Sequence, residues 1–264
     1  MESDTRETYD PAYFQPLFRA EDGHFWFRAR NRIIQTLVGQ IVSKLPQGYR
    51  MLDLGCGTGG VLRALEPVCR DGVLIGMDLY PEALALARRR VSCELVQGDV
   101  HQQPFTEPFQ LIGSFDVIEH LEDEASVLGS IYKMLAPGGV ALITVPAHMS
   151  LWSRLDEVGH HCRRYEPGEL ETKLRRCGFT VEYSTQFMAV IFPLVWLSRR
   201  LANWKAKRSE QGDKIASSAA TDELRIVPVL NGLLTALLWL EGWLIARRWR
   251  LPLGTSILAL ARKS

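Results

Sequence analysis

From Tyr49 onward, short apolar runs alternate with stretches in which apolar residues recur every three or four positions, the rhythm of strands and helices in turn. The runs "YRMLDLG", "VLIGMD", "CELVQGD", "FQLIGSFDVIEH" and "VALITVPA" predict five strands, and "FTVEYSTQF" predicts a sixth. Between them, "VLRALEPV" sets Val61, Leu62, Leu65 and Val68 at helical spacing. The helix "PEALALARRR" starts on Pro81, where a missing N–H costs nothing. "DEASVLGSIYKML" runs until "APGG" stops it, and "PGELETKLRRCG" opens with Pro167 and closes at Gly178. Such alternation makes βαβ units and a mostly parallel sheet, an α/β architecture. Sheets of this kind bind ligands outside the carboxyl ends of their strands, where strand order reverses. The turns after "MLDLG", "IGMD", "VQGD", "IEH" and "TVPA" therefore face one crevice.

The two ends of the chain follow other rules. Thr8 to Leu45 reads as helical and amphipathic, with Ile33, Ile34, Leu37, Val38 and Ile41 on a single stripe. After Phe187 comes an apolar run, "FMAVIFPLVWL", then basic "SRRLANWKAKR", then a polar loop or linker, "SEQGDKIASSAATDE". A second apolar run spans Ile226 to Ala246, and "TSILALARK" reads as a last strand. The implied organisation is a helical cap over 1–48, a core over 49–187, an apolar insertion over 188–250 and a closing strand over 251–264.

The first apolar run is too short to span a bilayer. The second approaches the ~20 residues a span needs, but Pro228, Asn231 and Glu241 interrupt it, and a carboxylate in mid-segment is expensive in lipid. Both runs also lie between two strands of one sheet. The expectation is two helices that either rest on a membrane face or form a lid over a substrate, with a buried hairpin or dimer contact as the plain alternative. Arg199, Arg200, Lys205, Lys207 and Arg208 follow one run, and Arg247, Arg248 and Arg250 the other. Trp196, Trp204, Trp239, Trp243 and Trp249 complete an interfacial pattern.

Bulk properties narrow the function classes. A chain of 264 residues suits one α/β domain with an elaboration, or at most two small domains. A net charge of +1 gives no reason to expect nucleic-acid binding. Five scattered cysteines without a CxxC argue against a disulfide framework and a structural zinc site. The polar opening "MESDTRETYD" does not read as a secretory signal, so a reducing cytoplasm is the default.

The most informative stretch is "LDLGCGTGG". Gly55, Gly57 and Gly59 clear side chains from a strand-to-helix turn, so a ligand can touch backbone N–H groups there. Gly55, Gly57 and Gly60 also satisfy GxGxxG, which leaves a nicotinamide or flavin oxidoreductase open. Three acids sharpen the choice. Asp78 ends the second strand, where a carboxylate can accept both hydroxyls of a ribose. Asp99 ends the third, where it can accept from an adenine amino group. Asp53 lies inside the glycine motif and suits a cationic ligand part better than a pyrophosphate. Read singly, each glycine could merely shape the turn and each acid merely cap a helix.

Taken in order, "LDLGCGTGG", "IGMDLYPEAL", "VQGDV", "FDVIEHLEDE" and "LAPGGVALITVP" resemble the successive motifs of the class I S-adenosylmethionine-dependent methyltransferases, over roughly Tyr49 to Phe187. The resemblance implies a Rossmann-like, doubly wound, seven-stranded sheet with an antiparallel last strand, which "TSILALARK" would supply. It implies S-adenosylmethionine as cofactor, with Asp53, Gly55, Gly57 and Gly59 around the methionine portion and Asp78 on the ribose. Leu79 would pack near the adenine, Asp99 and Val100 would read its edge, and Glu119 and His120 would end strand four close to the sulfonium. In similar enzymes the N-terminal helices cover the crevice, which draws attention to "EDGHFWFRARNR", with Trp26 as a substrate contact or a docking residue.

The acceptor side falls to the stretch from Ala147 to Tyr165, "AHMSLWSRLDEVGHHCRRY", too long to be an idle connection. Adjacent His160, His161 and Cys162 make a poor metal site, since neighbours seldom point at one ion, and no metal is expected. His161 suits a base, because imidazole titrates near working pH, and His120 and Tyr165 are the other catalytic candidates. His160, Arg163, Arg164 and Trp152 are candidate acceptor contacts. The competing reading is that Arg163 and Arg164 pair with Asp156, Glu157 or Glu166 and only order the loop. Proteins with a similar loop and apolar insertion are methyltransferase type 11 or 12 proteins. That resemblance gives a reaction and no substrate; the apolar insertion adds the expectation of O- or C-methylation of an apolar small molecule, lipid- or isoprenoid-like, reached from the inner membrane face or under a lid. The alternatives are an oxidoreductase and a non-catalytic cofactor-binding module.

Overall fold

The computed structural model describes residues 11–206 and 228–264. Thr8 to Asp10, the polar linker and the first residues of the second apolar run lie outside them. Seven strands form one sheet: β1 (Arg50–Leu54), β2 (Val73–Asp78), β3 (Glu94–Gln97), β4 (Phe109–Phe115), β5 (Leu135–Pro146), β6 (Phe179–Phe187) and β7 (Ser256–Lys263). Their order is β3-β2-β1-β4-β5-β7-β6. β1 to β5 run parallel to one another, while β7 runs antiparallel between β5 and β6. Strand order reverses between β1 and β4, so the binding crevice opens there.

The helices are α1 (Phe14–Glu21), α2 (Phe25–Val42), α3 (Gly60–Leu65), α4 (Pro81–Ala87), α5 (Glu124–Met134), α6 (Arg154–Val158), α7 (Glu169–Arg176), α8 (Phe192–Ala206) and α9 (Pro228–Ala246). Side chains alternate across β1. Met51 joins Ile33, Ile34, Leu37 and Val38 of α2 and Leu62 and Leu65 of α3 on one face of the sheet. Leu52 and Leu54 join Val127, Leu128 and Ile131 of α5 and Leu170 and Leu174 of α7 on the other. Asp53 thus lies on the α2 face.

Three elements depart from the sequence pattern. The helical N-terminal stretch is divided into α1 and α2, because the chain turns at Asp22–His24. The His24 ring then caps α2 by accepting from the Trp26 N–H at 3.3 Å. β5 begins at Leu135, so "APGG" belongs to the strand instead of separating helix from strand; Leu135 pairs with Phe109 ahead of a register shift. Between Ala147 and Tyr165 the chain is folded, with a 3₁₀ turn at Met149–Leu151 followed by α6.

α9 lies along α2. Gly242 lets the helices approach, since a Cβ there would sit 3.3 Å from Ile33, and Leu234, Leu238 and Ile245 enter the same core as the α2 stripe. The polar residues that interrupt the apolar run all turn inward. Asn231 accepts from the Phe25 N–H at 2.7 Å and donates to the Gly23 carbonyl at 3.1 Å, which fixes the α1–α2 corner. The buried carboxylate of Glu241 accepts the N–H groups of Met188, Ala189 and Val190 at 2.5, 2.9 and 3.3 Å, just ahead of α8. The outward face of α9 is the apolar one, with Leu233, Leu237, Trp239, Leu240 and Trp243 all exposed. Among the described residues, no helix is long and apolar enough to cross a membrane.

Candidate functional site

The crevice at the carboxyl ends of β1 and β4 is built on the glycine turn. Gly55 has φ +79°, and a Cβ there would lie 2.5 Å from Val117, so only glycine fits. The N–H groups of Gly55 and Cys56 donate to the Met77 carbonyl at 2.8 and 2.9 Å, tying the turn to β2. Gly57 donates its N–H to Asp78 Oδ2 at 2.7 Å, and Tyr80 donates its own to Oδ1 at 3.0 Å. Burial raises the Asp78 carboxyl, and these backbone amides oppose the shift. Gly59, at φ +81°, starts α3. A side chain on Gly57 would meet nothing within 4 Å, so this part of the turn faces open space.

Asp53 sits beneath the turn, 1% exposed, with Oδ2 lacking any hydrogen-bond partner. Burial drives its carboxyl up to about 7; Arg30 opposes this, while Asp78 and Glu21 add to it. Arg30 is itself buried and pairs with Asp116 at 2.6 Å under the Trp26 and Phe27 rings. Asp116 adopts φ +58°, a strained value for a non-glycine residue, and Thr144 donates its hydroxyl to it at 3.2 Å. α1 closes the other side. Glu21 accepts from the Thr58 hydroxyl and pairs with Arg90, each at 2.5 Å. It also packs so tightly on Gly60 that a Cβ there would lie 2.6 Å from its carboxyl carbon. Further round the rim, Leu79 is exposed, Val100 is half-buried, and Asp99 accepts the His101 N–H at 2.8 Å.

A second cluster lies where the turn after β4 meets the segment after β5. The Cys162 N–H donates to the Glu119 carbonyl at 2.7 Å and holds the two together. Glu119 is completely buried, and neither carboxylate oxygen is hydrogen-bonded. Desolvation, then Asp116, raises its pKa far above the usual carboxylate range; the fields of its own amide, Arg164 and Arg30 only partly offset this. The His120 and His161 rings meet edge to face, 4.6 Å between centroids. Burial, then His161, lowers His120 to about 3, so it stays neutral.

Asp156 organises "GHHCRRY". It accepts from His161 Nδ1 at 2.9 Å and Arg164 Nε at 2.7 Å on one oxygen, and from the Ser153 N–H and hydroxyl at 2.8 and 3.0 Å on the other. Burial raises its carboxyl, but the bonds from His161 and Arg164 outweigh this and hold it at about 2. Arg163 instead pairs with Glu124 at 3.0 Å and donates to the Glu122 carbonyl at 3.0 Å. Tyr165 is fully buried with its hydroxyl on Glu124, which also holds Lys173. His160 and Trp152 are half-buried, and His160 has φ +52°.

The structure therefore gathers Asp53, Gly55, Gly57, Gly59 and Asp78 at one turn and Glu119, His120 and His161 at a second focus. Arg163 and Tyr165 are drawn to α5. Glu21 and Asp116 escape sequence reading. The first lies in a stretch that reads only as helical and amphipathic, and the second owes its place to a positive φ that no pattern announces.

Residues 24–184 match the methyltransferase domain family, more than half of the chain, and the protein belongs to it. With the strand order above and the glycine turn at its reversal point, that places it among the class I S-adenosylmethionine-dependent methyltransferases. A probable S-adenosylmethionine-dependent methyltransferase of Mycolicibacterium smegmatis is 28% identical over 60% of this chain and 61% of its own length. Trans-aconitate 2-methyltransferase of Yersinia pseudotuberculosis is 30% identical over 57% of each. The chain thus spans about three fifths of the curated relatives it matches. Among solved structures, a Haloferax volcanii methyltransferase in complex with the Trm112 activator superposes with a TM-score of 0.60 at 18% identity, covering 98% of this chain and 97% of that one. Phosphoethanolamine N-methyltransferase 2 of Haemonchus contortus, solved with S-adenosyl-L-methionine, gives 0.52 at 24% identity, covering 87% and 52%.

Proposed function

We propose that this protein transfers a methyl group from S-adenosylmethionine to an oxygen or carbon of an apolar, lipid-like small molecule. The observation that carries the cofactor assignment is the pairing of a buried, partnerless Asp53 oxygen with an Asp78 carboxylate held by the glycine turn. Asp53 has the charge to take the cofactor's α-amino group. Asp78, with lone pairs left after two amide bonds, would accept the ribose hydroxyls. The open side of Gly57 leaves room for the methionine portion, and Leu79, Asp99 and Val100 stand where the adenine would lie. When bound, the cofactor supplies an electrophilic methyl on a sulfonium. The chain's own task is then mainly alignment, which supplies much of the rate in such a displacement. A hydroxyl or carbon acceptor must also lose a proton. Asp156 fixes Nδ1 of His161 and leaves Nε2 to take that proton or to stabilise the charge it leaves behind.

The acceptor class is read from α8 and α9. The outward apolar face of α9 ends in Arg247, whose guanidinium stacks on Trp243 at 3.5 Å, and on α8 Arg200 lies over Trp196 at 5.0 Å. Apolar side chains capped by cations that keep their charge in water suit a membrane surface. That supports a lipid-linked acceptor taken from the bilayer face. Labelled cofactor incubated with the protein and a cell extract, split into lipid and polar fractions, tests this. Label should enter the lipid fraction; label confined to the polar fraction would refute the acceptor class while leaving methyl transfer in place.

A further inference from the structure

We propose that Glu119, His120 and His161 form a binding site for one divalent transition-metal ion of the zinc type, open on the crevice side to an oxygen of the acceptor. One ligand atom from each lies within 4.8 Å of the other two. The three come from two segments, adjacent Glu119 and His120 from the 3₁₀ turn after β4 and His161 from the segment after β5, clamped together by the Cys162–Glu119 backbone bond. Adjacent His160, His161 and Cys162 do not converge, but His161 has partners that arrive from elsewhere in the chain.

Glu119 carries the argument. A carboxyl group with no exposed surface and no hydrogen bond on either oxygen lacks a partner that the chain does not provide. The histidines have the support that metal ligands need. His161 gives Nδ1 to Asp156 at 2.9 Å, and Ser153 and Arg164 hold that carboxylate in turn. Nε2 is left for an ion, the carboxylate–histidine–metal arrangement. The backbone at Gly159 and His160 lies beside the His120 ring and favours its protonated form, a contact that helps orient it. The edge-to-face rings, 4.6 Å apart, are a few tenths of an ångström closer than the roughly 5.2 Å of two imidazoles at a tetrahedral angle on one ion with ~2.0–2.1 Å bonds, so a small ring movement would seat both. Two imidazoles and one carboxylate suit zinc, iron(II) or cobalt(II), whereas magnesium and calcium select oxygen-only sets. Three protein ligands leave positions open. With the ion bound, Nε2 of His161 is a ligand and no longer the base, and the ion would polarise the acceptor oxygen in its place. That use of the ion rests on the methyl-transfer reading; binding of the ion does not.

The test is titration of chelator-stripped, full-length protein with cobalt(II), without cofactor or acceptor, followed by visible absorption and displacement with zinc. One equivalent should bind and raise the thermal midpoint. Glu119→Gln and His161→Ala should each weaken binding by at least about 10- to 100-fold and Asp156→Asn by a factor in that range, whereas His160→Ala should bind as the wild type does. Circular dichroism of the metal-free variants separates ligand loss from misfolding. No binding by folded wild-type protein, or equal binding by a folded Glu119→Gln variant, would overturn the proposal. Separate titration with S-adenosylhomocysteine keeps that failure distinct from failure of the cofactor reading.

Discussion

Replacing Asp156 with Asn keeps the shape of the side chain and removes what organises the segment after β5. The carboxylate takes two donors on each oxygen: His161 and Arg164 on one, the Ser153 N–H and hydroxyl on the other. Asn has a single carbonyl oxygen. If that oxygen serves His161 and Arg164, the amide NH₂ confronts the Ser153 N–H, donor against donor. Arg164 then bonds a neutral oxygen in place of a carboxylate, which costs about 1 kcal/mol, and a buried N–H left without a partner costs about 1–3 kcal/mol more. A total of roughly 2–4 kcal/mol lowers the melting temperature of a domain this size by roughly 4–16 °C. The pH dependence has a definite sign. The Asp156 carboxyl is held at about 2, below its ordinary 3.8, so its contribution is present above about pH 4 and is lost as pH falls toward 2. Asp156→Asn should flatten that limb of the pH–stability curve. Differential scanning calorimetry near neutral pH, with denaturant unfolding repeated down the acid limb, measures both effects. A melting temperature within about 1 °C of wild type, with the acid limb unchanged, would refute the idea that Asp156 anchors the segment.

Asp53 shows the opposite sign. Raised to about 7 in the folded protein, it favours folding least at high pH, and stability falls as pH rises from about 4 to 7. Asp53→Asn should remove that slope, and in the wild type a cofactor ammonium should release close to one proton on binding near pH 6, as seen by calorimetry in buffers of different ionisation heat. Glu241→Ala leaves three backbone N–H groups ahead of α8 without their acceptor and should destabilise by about 3 kcal/mol or more in urea unfolding, whereas Glu241→Gln, which keeps one oxygen, should lose less. Gly55→Ala forces a Cβ to 2.5 Å from Val117 at a left-handed φ and should abolish S-adenosylhomocysteine binding in titration.

The sheet was legible because its central strands are buried on both faces and read as near-continuous apolar runs, while β6 at the edge alternates. "VLIGMD" and "FTVEYSTQF" coincide with β2 and β6 residue for residue. Boundaries set by tertiary contact were not legible. "APGG" reads as a stop signal, but strand pairing extends β5 back to Leu135. Helical periodicity runs through Asp22–His24, where a cap from His24 and a distant Asn231 break the helix. Asn231 and Glu241 were legible as misfits in an apolar run; their targets, backbone N–H groups near Phe25 and ahead of α8, were not. The glycine turn was legible because its residues are contiguous. The Glu119–His120–His161 focus was hidden because it joins two segments far apart in the chain, and Tyr165 looked functional beside His161 although its side chain runs into the core onto Glu124.

The central claim is that the turn from Asp53 to Gly59, latched by Asp78, holds S-adenosylmethionine. Its most direct test is calorimetric titration of the wild type and of Asp78→Ala with S-adenosylhomocysteine. The account predicts one-to-one binding by the wild type and an affinity at least about tenfold weaker in the variant, a loss of ~1.4 kcal/mol or more. Absence of binding by folded wild-type protein, or equal affinity in Asp78→Ala, would contradict it.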